Sequence, residues 1–529
     1  MVDFLSFIRK LLVDKERNTL MKNKEVQVYH VIQGFRFGSV SQRGFRKRIF
    51  VFRDSNPDYV LNETFPDSLG DARETILQWT GQVNALGPWS VLNKTITPPS
   101  GDKHDYMSWA PYSWPNCTGV GNTTVLTPEE VWVTCPYVLR DGQFNPDGRL
   151  IDDIGEFSNL ADAVLFNALS WVLSGRPTAL YAVNAVNYIK IWFLDSATKM
   201  NPNLNYAQMA RGPTGQIGTH TGILDTKCFT KIITGILILK QGNCALWTPD
   251  LDSQMTSWVQ QFVQWLETAP TAIEESKAVN NHGSFYFTQL ASLKLYLNDT
   301  AGALNVTTTY FTNQFQNQIL GNGEQPFEAI RTRPYHYRAY NLCAMITNAR
   351  LQNYMNKTSN VWNWKTKYGA TIQTALDFAI NVPPWVSNET SHQSEMDPNV
   401  AAIKAVYGDP TNGYTNFLQF RESNYTAQPY WYWYQSLDSL AGSTQPSPSP
   451  TPVKNSDGKP GERAKLSKAE KLDKVVPSGG SIPYSCNTNI VEYWMQTSMR
   501  QQQMVYGNLC MGDMGKANTL QQTKVISCI

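Results

Sequence analysis

The 529-residue chain is 42% hydrophobic and 12% aromatic, enough to bury a large core, so a disordered chain is excluded. Its 45 basic and 43 acidic side chains leave a formal charge of +2, so nucleic acid is not an expected partner and an anionic ligand must be held by a local set of side chains. The longest apolar run, IITGILIL (232–239), falls far short of the roughly 18 residues that cross a bilayer, so no membrane partner is expected.

Residues 1–60 form an atypical N-terminal segment. The opening MVDFLSFIRKLLVDKER breaks its apolar run at Arg9 and Lys10, so no signal peptide is recognisable there. The basic cluster RGFRKR (43–48) reads as a solvated charge run, with a processing or anion site as the sharper alternative. Between 61 and 442, apolar stretches recur at the 3.6-residue period, among them LADAVLFNALSWVL (160–173), ALYAVNAVNYIKIWFL (179–194), SQMTSWVQQFVQWLE (253–267) and ATIQTALDFAI (370–380). Strand-like alternation is scarce, which predicts an all-α domain of many antiparallel helical hairpins. Residues 443–480 are Pro/Ser-rich and then charged, the composition of a linker. The tail, 481–529, holds Cys486, Cys510 and Cys528 in a polar setting with no readable role.

Nine N-x-S/T sequons, at Asn62, Asn93, Asn116, Asn122, Asn298, Asn305, Asn356, Asn388 and Asn424, predict a secreted, N-glycosylated protein. Cysteine usage agrees. Cys117 with Cys135, and Cys228 with Cys244, are close in sequence without zinc-type spacing, and two local disulfides are predicted.

The sequence lacks HExxH, a Walker loop, GxSxG, an EF-hand and paired CxxC. Its chemistry concentrates instead around four of six histidines, in KHDYMSWAPYSWP (103–115), GQIGTHTGILDTK (215–227), NNHGSFY (280–286) and RTRPYHYRAYNL (331–342). A helix entered through Pro334, whose missing N–H suits a first turn, carries Tyr337 and Tyr340 on one face, with His336 close to it and Arg333 at the mouth. A guanidinium that grips a carboxylate, beside a phenol that moves a proton, suits an acidic substrate. Cleaving a 4-linked uronate by β-elimination removes the C5 proton beside an anionic carboxylate, so donors must neutralise that carboxylate as an oxyanion hole would. A phenol serves as the base only where cationic or donor neighbours favour its ionised form.

These stretches, with PYVLRDGQFNPD (136–147), together resemble the alginate lyase superfamily of polysaccharide lyases over about residues 85–400. The resemblance implies an (α/α) toroid or incomplete barrel with a long central groove, a secreted fungal-type member, and a cofactor- and metal-free elimination by a monomer on an acidic polysaccharide. It implies Asn281, His282 and Arg333 as carboxylate neutralisers and Tyr340, seven residues after Arg333, as proton carrier. Where mannuronate-cleaving members read roughly Tyr-His-Asn-Tyr, this chain reads Tyr337-Arg338-Ala339-Tyr340, which leaves open a one-turn shift to Tyr337 assisted by His336. The sequence looks closer to the branch that includes glucuronan lyases. Tyr106, Trp109, Tyr112, Trp114, His220, Arg331 and His336 are expected to bind substrate, with the aromatics of SWAPYSWP and PYWYWY (429–434) as stacking platforms. Asp225 is expected to anchor its loop.

Two rival functions stand beside this. A glycoside hydrolase on a similar toroid would use a carboxylate pair, with Asp152, Asp153 and Glu156 as candidates, although acids opening a helix ordinarily serve as its dipole partners. A non-catalytic polyuronate-binding protein would keep the groove without the chemistry.

Overall fold

Two kinds of helix alternate along the chain in the computed structural model, which describes residues 56–433 apart from 63–66, 122–124 and 177–178. The segments predicted over 443–480 and 481–529, nearly all of 1–60, and the tail cysteines lie outside those residues. Everything described belongs to the first of two units into which the chain divides, 1–444.

One kind of helix is buried almost all round: α4 (Asp153–Leu173), α6 (Phe229–Gln241), α9 (Asn281–Tyr296) and α13 (Pro334–Met355). The other carries a single apolar stripe. In α7 (Pro249–Thr268) the stripe is Leu251, Met255, Trp258, Val259, Phe262, Val263 and Leu266, and in α10 (Thr300–Thr312) it is Ala303, Val306, Thr307, Tyr310 and Phe311, both at the spacing of one helix face. A helix apolar on every side must be covered on every side, so the first kind forms an inner layer and the second covers it.

After the short α1 (Pro57–Leu61) and the single-striped α2 (Gly70–Asn84), which packs on α4, the inner layer runs through α4, α6, α9, α13 and α15 (Asp397–Tyr407), each packed on the next. Outer helices return the chain between them: α5 (Ala179–Ile189), α7, α10, α14 (Ile372–Ala379) and α16 (Gly413–Arg421). The last helix, α17 (Pro429–Trp433), touches both α15 and α2 and brings the last hairpin back to the first. This is the predicted all-α (α/α) toroid. Among the described residues the strands are two short pairs. β1 (Met107–Trp109) runs parallel to β4 (Tyr206–Met209), and β2 (Ser113–Pro115) runs antiparallel to β3 (Tyr137–Leu139). Short helices α3 (Pro128–Thr134), α8 (Pro270–Glu275), α11 (Phe315–Gln318) and α12 (Pro326–Ala329) lie in connections.

Neighbouring inner helices run parallel. Lys231 of α6 pairs with Asp162 of α4 at 2.6 Å, and a Cβ on Gly235 would meet Val164, so the two backbones approach too closely for any side chain there. Ser284 of α9 bonds Asn341 of α13 at 2.8 Å, and one turn on, Thr288 receives the amide of Asn348 at 3.0 Å. Parallel neighbours present their N-termini at the same end, where unpaired N–H groups and the positive ends of the helix dipoles favour anions.

The predicted disulfide between Cys228 and Cys244 is absent: both are free, buried thiols, whereas Cys117 and Cys135 are bonded. Cys228 caps the N-terminus of α6 and Cys244 follows its C-terminus, so 13 helical residues hold them about 20 Å apart at 1.5 Å per residue. A disulfide needs Cα atoms within about 7 Å. Nearness in sequence was misleading because the intervening segment is a rigid rod rather than a loop.

Candidate active site

The mouths of α9 and α13 gather most of the residues singled out by sequence. At α9, the Asn280 side chain caps the helix by accepting the His282 N–H at 3.2 Å. Asn281 is fully buried, and both its backbone N–H and its Nδ2 donate to the buried carboxylate of Glu328 in α12, at 2.8 and 2.7 Å. Gly283 is required because a Cβ there would collide with the Ala278 carbonyl. His282 places Nδ1 2.7 Å from one oxygen of Glu275, and His220, from the 3₁₀ turn His220–Thr226, places Nδ1 2.6 Å from the other. Burial alone would raise the Glu275 carboxyl, but the two imidazoles outweigh it and hold the group below the usual carboxylate range. Burial favours neutral His220, yet Glu275 outweighs that and raises it. With Nδ1 turned to Glu275, His282 leaves Nε2 for a ligand, whereas the Nε2 of His220 lies 3.7 Å from the Glu274 carboxylate.

At α13, guanidiniums and phenols interlock. Arg331 lies over the Tyr337 ring at 4.0 Å, donates to the Tyr337 hydroxyl at 3.1 Å, and is steadied by Asp141 at 3.1 Å. Arg333 donates to the Tyr112 hydroxyl at 2.6 Å, and the Tyr112 and Tyr337 hydroxyls are 3.3 Å apart. The Nε of Arg333 is buried without a partner, a donor that a carboxylate would satisfy. Burial pushes the Tyr337 phenol above its ordinary range, with Arg331 pulling the other way. Tyr112 arrives on the turn into β2, whose hairpin with β3 is closed off by the Cys117–Cys135 bond.

Tyr340 sits one turn further in, its ring 4.5 Å from Phe285 and stacked on His336 at 5.6 Å, and burial pushes its phenol well above the usual value. His336 bonds Glu395 through Nδ1 at 2.6 Å, and His392 approaches the other oxygen of Glu395 at 2.7 Å. Trp114 carries Arg140 over its ring at 5.3 Å and donates to the Gln143 carbonyl at 2.8 Å.

Burial corrects several expected stacking platforms. Tyr106 is 0% exposed, its hydroxyl on Asp225, and Trp109 is 4% exposed, packed on Trp132 and roofed by Arg211 at 4.2 Å. Neither ring can lie under a sugar, because Tyr106 belongs to the main core and Trp109 to a small core with Ile151 and Met209. In PYWYWY, Tyr430 and Tyr432 are likewise core residues. His104 serves its loop, with Nδ1 2.6 Å from the Lys199 carbonyl. Buried Asp225 accepts from Tyr106, Ser108 and Gln208 and so ties its loop to β1 and β4.

Sequence reasoning did not single out Glu275, Glu328, Glu395, His392 or Asp141. The first three are the anions on which the site's histidines and Asn281 are mounted. An acid reads as surface unless its partner is known, and the partners here lie 3 to 59 positions away.

The hydrolase carboxylates are engaged elsewhere. Asp153 is buried in an ion pair with Lys94 at 2.9 Å and accepts the Met107 N–H, while Glu156 accepts from Asn93. Burial lifts them to about 6 and about 7, but neither bonds the guanidinium–phenol set.

A family model described as alginate lyase matches residues 90–391, more than half the chain. The chain belongs to the alginate lyase family. Among solved structures, the crystal structure of an alginate lyase from Bacteroides ovatus at 1.60 Å resolution is similar, at 29% identity and a TM-score of 0.62, covering 72% of this chain and 97% of that one. No curated protein matches the chain. The family match spans both helix mouths, from Tyr112 through Arg333 to Glu389. Among the described residues, no helix is long and apolar enough to cross a membrane.

Proposed function

We propose that this alginate lyase family member cleaves a 4-linked polyuronate, polymannuronate or glucuronan, by β-elimination, with Tyr337 as the proton carrier. The observation that carries the reading is the Tyr337 hydroxyl: it accepts from Arg331 at 3.1 Å and stands 3.3 Å from Tyr112, which Arg333 holds. The Tyr340 ring packs on Phe285 and His336. Arg331 lies six residues before Tyr337, so both side chains return to one place across the helix mouth.

In this reading the unpartnered Nε of Arg333 and the Nε2 of His282 receive the C6 carboxylate, His220 stands beside them with its Nε2 3.7 Å from Glu274, and Asn281, its amide already given to Glu328, fixes the α9 mouth. Tyr337, its phenolate favoured by Arg331 against the opposing effect of burial, takes the C5 proton. The C5–H electrons become the C4–C5 double bond, the C4–O4 bond breaks, and Tyr337 returns the proton to O4. Mannuronate and glucuronate share the side of the ring that bears the C5 proton and O4, so one phenol serves either.

The test is appearance of the ultraviolet-absorbing unsaturated product on polymannuronate, polyguluronate, glucuronan and hyaluronan. Tyr337→Phe should lower turnover about 10³-fold with KM little changed, and Tyr340→Phe should cost less than about tenfold. The reverse ranking would return the role to Tyr340. Hydrolytic ends without the double bond would favour the Asp153/Glu156 hydrolase, and no cleavage of any polymer would favour a binding protein. A secreted glycoprotein fits the same reading, since every sequon asparagine among the described residues is exposed. Glycosidase treatment of protein from a eukaryotic host should lower its mass.

A further inference from the structure

The groove does not account for the second histidine–carboxylate cluster. His392 and Glu395 stand three residues apart on the 3₁₀ turn Thr390–Glu395, and side chains at that spacing eclipse one another in a 3₁₀ helix. His336, on the first turn of α13, completes the set. Both Nδ1 atoms face the two oxygens of Glu395 at 2.6 and 2.7 Å, the imidazole centroids are 5.1 Å apart, and all three ligand atoms lie within 4.8 Å of one another.

We propose that His336, His392 and Glu395 form a site for a borderline divalent transition metal, zinc being the type ion, that clips this turn to the mouth of α13. Two imidazoles and one carboxylate are a donor set for zinc, cobalt, nickel or copper rather than calcium or magnesium. Zinc takes three protein ligands and an open fourth position at about 2.0–2.2 Å, which separates its donors by about 3.3 Å. The side chains of His336, His392 and Glu395 are 20%, 25% and 21% exposed, so an ion reaches them from solvent and small rotations open the hydrogen-bonded contacts. The metal takes the Nδ1 lone pairs while each neutral ring keeps its proton on Nε2.

The matching cluster of His220, Glu275 and His282 differs where it matters. Its carboxylate is 0% exposed and its three residues come from separate segments, so it serves as an internal brace.

The backbone around the second cluster is already a frame. Glu389 accepts the N–H groups of Tyr335 and His336 at 2.9 Å each, and the Tyr335 hydroxyl donates to the Gln393 carbonyl at 2.9 Å. A metal there fastens the first turn of the helix that carries Tyr337 without touching the reacting atoms.

The test uses the full-length chain, stripped with a chelator and dialysed, then titrated with zinc(II) by calorimetry and with cobalt(II) by visible absorption, with calcium(II) as control. The expected result is a zinc site, with cobalt bands and a higher melting temperature, that is lost in both His392→Ala and Glu395→Gln and kept in His282→Ala. Near-ultraviolet dichroism checks folding, and His392→Gln replaces the alanine variant should that one unfold. No zinc binding by the native chain overturns the proposal, as does a site that survives in the folded His392 and Glu395 variants or that is lost in His282→Ala. Calcium binding at equal affinity also overturns it.

Discussion

The mouths of α9 and α13 offer the same backbone, the first turn of a buried helix in a parallel pair, and they differ in what stands behind it. Behind α9 are carboxylates: Glu275 holds two histidines and Glu328 holds Asn281. Behind α13 the carboxylates Glu389 and Glu395 are joined by cations and phenols, Arg331 and Arg333 against Tyr337 and Tyr112. An anion behind an imidazole makes it a better cation for binding a carboxylate, whereas a guanidinium against a phenol favours the phenolate that abstracts a proton. In the proposed mechanism one mouth binds charge and the other moves a proton.

The comparison breaks most sharply at Arg333. Its alanine variant should lose about 10²- to 10³-fold in kcat/KM, the worth of a donor placed on developing charge, and Arg333→Lys should recover only part, because an ammonium cannot donate to Tyr112 and a carboxylate in one fork. His282→Ala should raise KM more than it lowers kcat. Equal losses in both variants would show that the mouths do not divide the work.

A pH profile sharpens the contrast. Tyr337 lies above the ordinary phenol range because burial outweighs Arg331, so the phenolate fraction, and with it the rate, should climb with pH on the alkaline side. Arg331→Ala removes a lowering influence and should move the rising limb to still higher pH. A limb unmoved by that substitution would place the proton elsewhere.

Glu275→Gln should raise KM through the two imidazoles it holds and also cost stability, on the order of 2 kcal/mol for hydrogen bonds to a buried charge, with the share of half-exposed His220 reduced by solvent. Glu275 is depressed in the folded protein, so its contribution is present above the ordinary carboxylate value near 4.3 and is lost as pH falls through its folded value. His220 is raised, so its contribution is complete below the ordinary imidazole value near 6.5 and is lost as pH rises through its folded value. The melting-temperature gap between native and Glu275→Gln protein should therefore peak near pH 5–6 and narrow by about pH 9.

The helices were legible because burial imposes a period, and a period survives in one dimension. LADAVLFNALSWVL and SQMTSWVQQFVQWLE are helical where the pattern places them. The motif residues at both mouths were legible as types, but their jobs were not. Tyr112 read as a platform because nothing in SWAPYSWP announces a hydroxyl 225 positions away. Trp109 and Tyr106 read as exposed because a loop rich in aromatics looks the same whether it lines a groove or fills a core. The choice between Tyr337 and Tyr340 depends on which phenol meets a guanidinium, a matter of direction at the helix mouth that spacing alone does not decide.

The Cys117–Cys135 bond lies in the excursion that joins the strand after Tyr112 to the strand before Asp141. Tyr112 and Asp141 are the two groups that this hairpin lends to Arg333 and Arg331. The helices of the toroid need no oxidant to pack, but the hairpin that completes the catalytic mouth is closed by one. Cys117→Ser with Cys135→Ser should thus leave the helical dichroism intact, cost up to about 3 kcal/mol for an 18-residue separation, and lower kcat through Tyr112. Under the proposed mechanism, folding and competence would then be separable: without this bond the helices would still pack, while Tyr112 and Asp141 would be less firmly presented to the two arginines.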